Sequence, residues 1–445
     1  MANLGGLLLV NACFLAAGIG VTSLAGWWRG ARSLPGVLGV SYLCGVASFG
    51  VTAQLLYVLG ASLARWQVVV VCAVFAAGAV RGLARRGEEA AAPRTTAWRW
   101  LFWPIAAMLA LLAVDLWYQP LWAYDAWTFW TPKAHALFAL NGLAPGWFAQ
   151  ADLLNKDYPL LLPAIEAAGF RFTGYETALL DLQSWLIFVG FLRAVYEIAR
   201  PRTNALLVWA TLALLVVAPS VADQLASAEA DIPVAAFFGV AGLCAWLWLV
   251  ERSRPALVVA AVLSAGAAAT KVEGLILTVA LFASLAVVAA FGRPRRVLAP
   301  AAAGVAALVA GLLPWRIWIA HHGIHDQASL GRVTDVSFLV HHAVRAPIAA
   351  GYMLVKAFDP RAWLVVLPFA FVLLWTGRRR PGRELAFVAA TVVVGFAGLL
   401  LAYWTTPFPF HYHLAVSARR IITGLVFFLA AVAPLVAGPS APVRE

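Results

Sequence analysis

Residues 205–218 read ALLVWATLALLVVA, and this stretch decides the fold class because it is apolar on every face. A helix at a protein surface would carry polar residues along one side, and a barrel strand would alternate apolar with polar residues. Lipid must therefore surround such a run. Helices satisfy their backbone hydrogen bonds internally, which makes them the structure that can cross the bilayer here. We predict a membrane-crossing helix.

The composition extends this prediction to the whole chain. Of its 445 residues 63% are hydrophobic and 12% charged, and the mean hydropathy is +0.86, which no soluble globular domain of this length shows. Apolar runs recur at about the 20 residues that a span requires. We predict an all-α, polytopic membrane protein with roughly thirteen spans. The predicted spans are 4–28, 35–59, 67–80, 101–118, 177–196, 204–220, 232–250, 256–270, 275–291, 298–318, 362–376, 385–403 and 421–437.

The placement of arginine predicts the orientation. The net charge is +12, and arginines crowd into alternate short loops, which is typical of cytoplasmic loops and not of a continuous nucleic-acid-binding groove. We therefore expect no nucleic-acid partner. We expect a multi-pass protein of the cell (inner) membrane, with its N-terminus outside and its C-terminus in the cytoplasm. The arginines of these loops are at positions 29, 32, 81, 85, 86, 94, 99, 200, 202, 252, 254, 293, 295, 296, 378, 379, 380 and 383.

The predicted spans divide the chain into a three-helix extension at 1–100, a transmembrane core at 101–437 and a short cytoplasmic tail at 438–445. The predicted outer loops, at 119–176, 221–231, 319–361 and 404–420, hold most of the acidic residues. In the longest, an amphipathic juxtamembrane helix is predicted from helical spacing, and 158–172 is interpreted as a re-entrant or juxtamembrane helix. The spaced residues are Trp127, Trp130, Ala134, Leu137 and Phe138.

Asp125, at the start of that amphipathic segment, has two interpretations. It caps the helix, or it is a general base for an acceptor hydroxyl. Lys133 lies eight residues on and past Pro132, so the two side chains need not touch, and we count Lys133 as a candidate substrate-binding residue. The sequence leaves both interpretations of Asp125 open.

The stretch NKDYPLLLP, at 155–163, places three candidates before an apolar helix that Pro159 can start. Lys156 and Asp157 are either a charged loop end, or a phosphate-binding cation and a carboxylate that orients a sugar. Tyr158 is added as a candidate substrate-binding residue.

Two predicted outer turns, SAEADIP at 227–233 and TKVEG at 270–274, carry further charges. Glu229 and Asp231 suit a helix N-terminus, where capping explains one of them and leaves the other available for an active site, so both are candidate substrate-binding residues. Lys271 and Glu273 form a structural ion pair, or Lys271 binds a lipid phosphate, since a charge at such a turn is expensive unless it is paired or used.

Arginine and histidine supply the remaining candidates. Arg419 and Arg420 enter the last predicted span from outside, against the usual charge bias, and are candidate anion-binding residues. Pairs of outer-loop histidines could bind a divalent metal, but no carboxylate–histidine spacing accompanies them, so no metal ligand is assigned. These histidines are at 321, 322, 325, 341, 342, 411 and 413.

Taken in order, these features resemble the C-type (GT-C) membrane glycosyltransferases, especially the protein O-mannosyltransferases and the lipid A aminoarabinose transferase. The matching segments are AYDAWTFW with Asp125, KDYPLLLP with Lys156 and Asp157, ADIP with Asp231, TKVEG with Lys271, and SARR with Ser417 and Arg420.

The resemblance implies an enzyme that moves a sugar from a polyprenyl-phosphate donor to a glycan, lipid or protein acceptor on the outer face. Asp125 would be the base, Lys156, Lys271 and Arg420 would neutralise the donor phosphate, and Asp157 and Asp231 would shape the sugar and acceptor pocket. A metal requirement stays open. The alternative is a transporter or flippase that binds a lipid-linked sugar without cleaving it.

Overall fold

The computed structural model describes residues 3–84, 98–150, 155–291, 294–324, 330–377 and 382–438. The described chain is helical and contains no β-strand. The arginines predicted at 85, 86, 94, 293 and 378–380, His325, and all of the predicted tail except residue 438 lie outside these ranges.

The helices follow one another with short connections. The first twelve are α1 (Leu4–Ala25), α2 (Leu38–Val58), α3 (Arg65–Ala76), α4 (Ala79–Leu83), α5 (Phe102–Tyr118), α6 (Thr131–Ala139), α7 (Pro145–Gln150), α8 (Leu161–Thr173), α9 (Leu179–Ala199), α10 (Ala205–Val217), α11 (Pro219–Leu225) and α12 (Asp231–Glu251). The others are α13 (Arg254–Ala268), α14 (Val272–Ala290), α15 (Leu298–Gly311), α16 (Leu313–His321), α17 (Leu330–Thr334), α18 (Val336–His341), α19 (Arg345–Ala357), α20 (Pro360–Trp363), α21 (Val366–Thr376), α22 (Gly382–Trp404), α23 (Phe410–Ile421) and α24 (Thr423–Ala437).

Nine helices in the described ranges are long and apolar enough to cross a membrane, or eleven if each of two bent pairs is one span. The bends are 57° between α10 and α11 and 40° between α15 and α16, and a proline stands in the first turn of both second helices. Proline lacks the N–H that a straight helix would need. The helices α13 and α21 are apolar but shorter. The chain is thus a polytopic all-α membrane protein, and the count of thirteen stays a prediction.

The centre of the molecule is α12, which is buried along its length. It packs against α9, α13, α14 and α24. Its 21 residues cover about 31 Å, so its two ends lie on opposite sides of the bundle. Asp231 stands at one end, called here the acidic end. At the other, the arginine end, Arg202 Nε lies 2.6 Å from Glu251 Oε1.

The long loop after α5 differs from its prediction in one respect. A π-helical turn at Ala126–Trp130 precedes α6 where one amphipathic α-helix was expected. Its wider turn changes which residues share a face, so Trp130 is buried while Trp127 is 52% exposed. The following α8, at 13 residues, is too short to span and lies buried against α1, α2 and α6.

The contact between α1 and α2 depends on two glycines. A Cβ on Gly45 would stand 1.8 Å from the Phe14 carbonyl oxygen, and one on Gly18 would stand 1.6 Å from that of Ser41. The two backbones therefore touch, which small residues allow in membrane helices.

We expect Gly45→Val to destabilise the fold by about 1–3 kcal/mol or more, because its side chain would overlap backbone atoms that cannot rotate away. The measurement is the thermal unfolding midpoint of the detergent-solubilised protein. Gly351→Ala in α19 is the control, since nothing lies within 4 Å of a Cβ there. Equal midpoints for both variants would contradict the close contact.

Candidate functional site

Arg420, in the last turn of α23, joins three carboxylates at the acidic end. Its Nη2 donates a hydrogen bond of 2.6 Å to Asp125 Oδ2, and its Nη1 donates to Glu229 Oε2. Its Nε lies 3.9 Å from Asp231 Oδ2. A planar guanidinium can bind several carboxylates at once, whereas an ammonium acts as a point charge. Arg420 thus holds together the loop before the π-helical turn, the turn before α12, and α12 itself.

Lys271 extends this network to the turn between α13 and α14. Its Nζ lies 2.8 Å from Asp231 Oδ1 and 3.1 Å from Glu273 Oε1, and the residue is 6% exposed. Burial alone would lower the pKa of Lys271, but the carboxylates of Asp231 and Glu273 raise it well above its ordinary value. Lys271 is therefore a buried, ionised lysine. The ion pair expected as one alternative for Lys271 and Glu273 is formed, and phosphate binding by Lys271 stays a prediction.

Local backbone structure explains why these groups meet. Asp125, Asp231 and Lys271 stand at the beginnings of helical segments, and Glu229 lies in the turn before α12. The carboxylates near α12 lie where its N-terminal dipole favours negative charge. Ala228, next to Glu229, has a φ of 50°, a left-handed conformation that costs energy for an alanine. Such strained residues often occur beside functional groups.

Side-chain capping hydrogen bonds are not formed at the start of the π-helical turn or of α12. The side chain of Asp125 makes no capping hydrogen bond to the following helical turn, and the N-cap of α12 is Ala230. Arg420 is also not in a loop, because the helix α23 (Phe410–Ile421) occupies most of the predicted outer loop 404–420 and leads into α24. The guanidinium is consequently anchored by α23, which runs into α24.

A cavity of about 360 Å³ opens beside Arg420. Arg419 and Asp223, 3.0 Å apart, form an ion pair at its rim, with side chains 42% and 51% exposed. Exposed aromatic rings face the same space. The lining residues are Trp122, Ala123, Tyr124, Asp125, Asp223, Gln224, Ser227, Glu229, Lys356, Asp359, Tyr412, Ala415, Val416, Arg419 and Arg420.

The network carries more negative than positive groups. Asp125, Glu229, Asp231 and Glu273 are four carboxylates, and Lys271 and Arg420 are two cations. Glu229 is 3% exposed, and burial raises its pKa to about 7 although Arg420 opposes the shift. One carboxyl of the network therefore titrates near neutral pH.

Lys133 lies apart from this network. It is fully buried, and its Nζ donates to the backbone carbonyls of Asn155, Lys156 and Tyr158 at 2.7, 3.3 and 3.2 Å. Burial lowers the pKa of Lys133 to about 7, and the nearby Asp157 opposes that shift. These contacts anchor the 155–158 turn, and the substrate-binding role of Lys133 stays a prediction.

The three candidates of that turn have different surroundings. Lys156 Nζ donates to the Ala149 carbonyl at 3.3 Å, and the Asp157 carbonyl accepts a 2.7 Å hydrogen bond from Trp315. Within the described ranges Lys156 forms no ion pair with the Arg420 network. Tyr158 is within electrostatic reach of the network. Burial is the largest influence on the pKa of Tyr158 and raises it, Glu273 raises it further, and Lys271 opposes the shift.

Sequence reasoning missed several residues of this cavity. Asp223, Gln224, Lys356 and Asp359 line it. All four fall in or beside predicted outer loops, so charge placement could have suggested them. The aromatic lining could not have been chosen from sequence, because aromatic residues occur throughout the chain. Among the described residues, no group of three His, Cys, Asp or Glu side chains could hold a metal ion.

Comparison with known proteins gave no relative: no family model, no curated protein and no solved structure matches this chain.

Replacing Arg420 by methionine should destabilise the protein by about 3–5 kcal/mol, because it leaves buried carboxylates without their counter-charge. The neighbouring Arg419→Met is the matched control. It breaks an exposed pair and should cost about 0–1 kcal/mol. Chemical or thermal unfolding in detergent measures both, and similar small losses for the two variants would show that Arg420 does not hold the acidic end together.

Proposed function

We propose that this protein is a membrane glycosyltransferase that moves a sugar from a polyprenyl-phosphate donor to an acceptor hydroxyl. The observation that supports this proposal best is the meeting of Asp125, Arg420 and Lys271 in one charge network beside a cavity. The residue order that resembles GT-C enzymes fits the same function. The acceptor is a glycan, lipid or protein that carries a free hydroxyl.

In the proposed reaction, the acceptor hydroxyl attacks the anomeric carbon of the donor sugar. Its proton passes to the carboxylate of Asp125, and the bond between the sugar and the phosphate oxygen breaks. The polyprenyl phosphate leaves with the bonding electrons. Arg420 and Lys271 stabilise the negative charge that develops on it, which is how fixed cations accelerate such steps.

The membrane arrangement belongs to the same proposal. We propose that the acidic end faces outward from the cell (inner) membrane and the arginine end faces the cytoplasm. Thirteen spans result if α13 and α21 also cross, with the N-terminus outside and the C-terminus inside. A lipid-linked donor suits that face, since nucleotide-activated sugars are cytosolic.

Asp125→Asn should lower transfer by about 10²–10⁴-fold, the usual contribution of a general base. The assay incubates purified protein with a polyprenyl-phosphate sugar and candidate acceptors, and mass spectrometry follows the lipid carrier. Asp115→Asn, ten residues earlier on the exposed side of α5, is the control. If Asp125→Asn transferred sugar at the wild-type rate, the general base would be another residue. Movement of an intact donor across vesicles, with no bond cleaved, would support the transporter alternative.

A further inference from the structure

The charge network has no cation to spare for an incoming anion. Arg420 already contacts Asp125 and Glu229, and Lys271 already contacts Asp231 and Glu273. A phosphodiester that approached Arg420 would bring a fifth negative group to two cations. Yet the network also has unused hydrogen-bonding capacity, because Arg420 Nε and Asp231 Oδ2 are buried and neither makes a hydrogen bond in the described structure.

Any anion that binds Arg420 competes with a carboxylate that is there now. A buried carboxylate that loses its partner is strongly destabilised as an ion, and it takes up a proton instead. Glu229 is the carboxylate that the loss of Arg420 would destabilise most. Its side chain is 3% exposed, and Arg420 is the cation with which it pairs. Asp231 keeps Lys271 at 2.8 Å, and Asp125 is 26% exposed and can be hydrated.

We propose that a phosphodiester binds at Arg420 together with one proton, and that Glu229 takes up this proton. The inference rests on the proposed function, in which the donor phosphate meets Arg420, and it adds that donor binding is linked to pH. The neutral carboxyl of Glu229 then leaves the guanidinium free to pair with the phosphate.

The groups around Glu229 come from four parts of the chain, and each influences its charge. Arg420 on α23 and Lys271 before α14 favour the carboxylate, whereas Asp231 on α12 and Asp125 before the π-helical turn disfavour it. Burial is the largest influence and raises the pKa of Glu229 to about 7. A phosphate anion bound beside Glu229 would raise this pKa further, because like charges disfavour ionisation.

The affinity for the phosphodiester should decrease as the pH rises above the pKa of Glu229. At about one pH unit or more below 7, Glu229 is already mostly protonated in the free protein, so this residue adds little pH dependence to binding there. Above pH 7 the proton must be taken from solution, and the affinity should fall about tenfold for each pH unit. A phosphodiester keeps one negative charge throughout this range, so the ligand itself contributes no such slope.

The test measures binding of undecaprenyl-phosphoglucose, a lipid phosphodiester, to the full chain in nanodiscs between about pH 5.5 and 9. Dimethyl phosphate, a soluble phosphodiester, forms a second arm that separates the phosphate from its lipid chain. Glu229→Gln carries a permanently neutral side chain, so its affinity should be independent of pH and exceed that of the wild type above pH 7. Glu251→Gln, which removes an Arg-paired glutamate at the arginine end, should keep the wild-type slope.

Each outcome decides the inference. The inference is supported if the affinity falls tenfold per pH unit in the wild type and in Glu251→Gln but does not change with pH in Glu229→Gln. If dimethyl phosphate shows the same pH-linked binding, the phosphate group alone is sufficient for the effect. A flat wild-type profile, a slope that persists in a folded Glu229→Gln protein, or no lipid binding overturns it. Thermal unfolding checks that Glu229→Gln is folded. If the lipid binds with proton uptake but no sugar is transferred, proton-linked binding is supported and the glycosyltransferase proposal is contradicted. If sugar is transferred but binding is independent of pH, the glycosyltransferase proposal is supported and proton-linked binding is contradicted.

Discussion

The guanidinium of Arg420 is the group on which the acidic end depends. It contacts carboxylates that are far apart in the chain, at Asp125 and Glu229, and approaches Asp231 at the start of the central helix. Each carboxylate would be costly to bury alone, and so would the arginine. Because the groups are mutually necessary, the loop before the π-helical turn, the turn before α12, and α23 must come together for any of them to be stable.

The packing of the helices positions these charged groups next to one another. The central α12 is apolar and buried along its length, so its position is fixed by contacts with α9, α13, α14 and α24. Lys271 then reaches Asp231 because α13 and α14 both pack on α12. Lys133 fixes the neighbouring 155–158 turn through three carbonyls. The apolar bundle thus places helix ends accurately, and the ionised groups are found at those ends.

The fold class and the position of most helices could be predicted from local sequence, because each apolar segment shows by its own composition that it is soluble in lipid. Local sequence also indicated the tendency of acids to stand at helix beginnings, as Asp125 and Asp231 do. It could not say which charges pair. Arg420 bonds to a carboxylate 295 positions away, a distance that no local spacing encodes. The partners of Lys133 were hidden for the same reason, since they are backbone carbonyls 22 to 25 positions away. The π-helical turn displaced Trp127 because a helical pattern assumes one uniform period.

The sharing of Arg420 between carboxylates gives the proposed base a fixed orientation. Asp125 Oδ2 accepts a hydrogen bond of 2.6 Å from Nη2 of Arg420, while Nη1 donates to Glu229. A carboxylate has two oxygens and about four lone-pair sites, so Asp125 can still accept a hydrogen bond from an acceptor hydroxyl while it is paired. A phosphodiester that took the place of Glu229 at Nη1 would leave the bond to Asp125 intact. In the proposed mechanism one guanidinium therefore orients the base and binds the leaving phosphate, which holds the reacting groups close together.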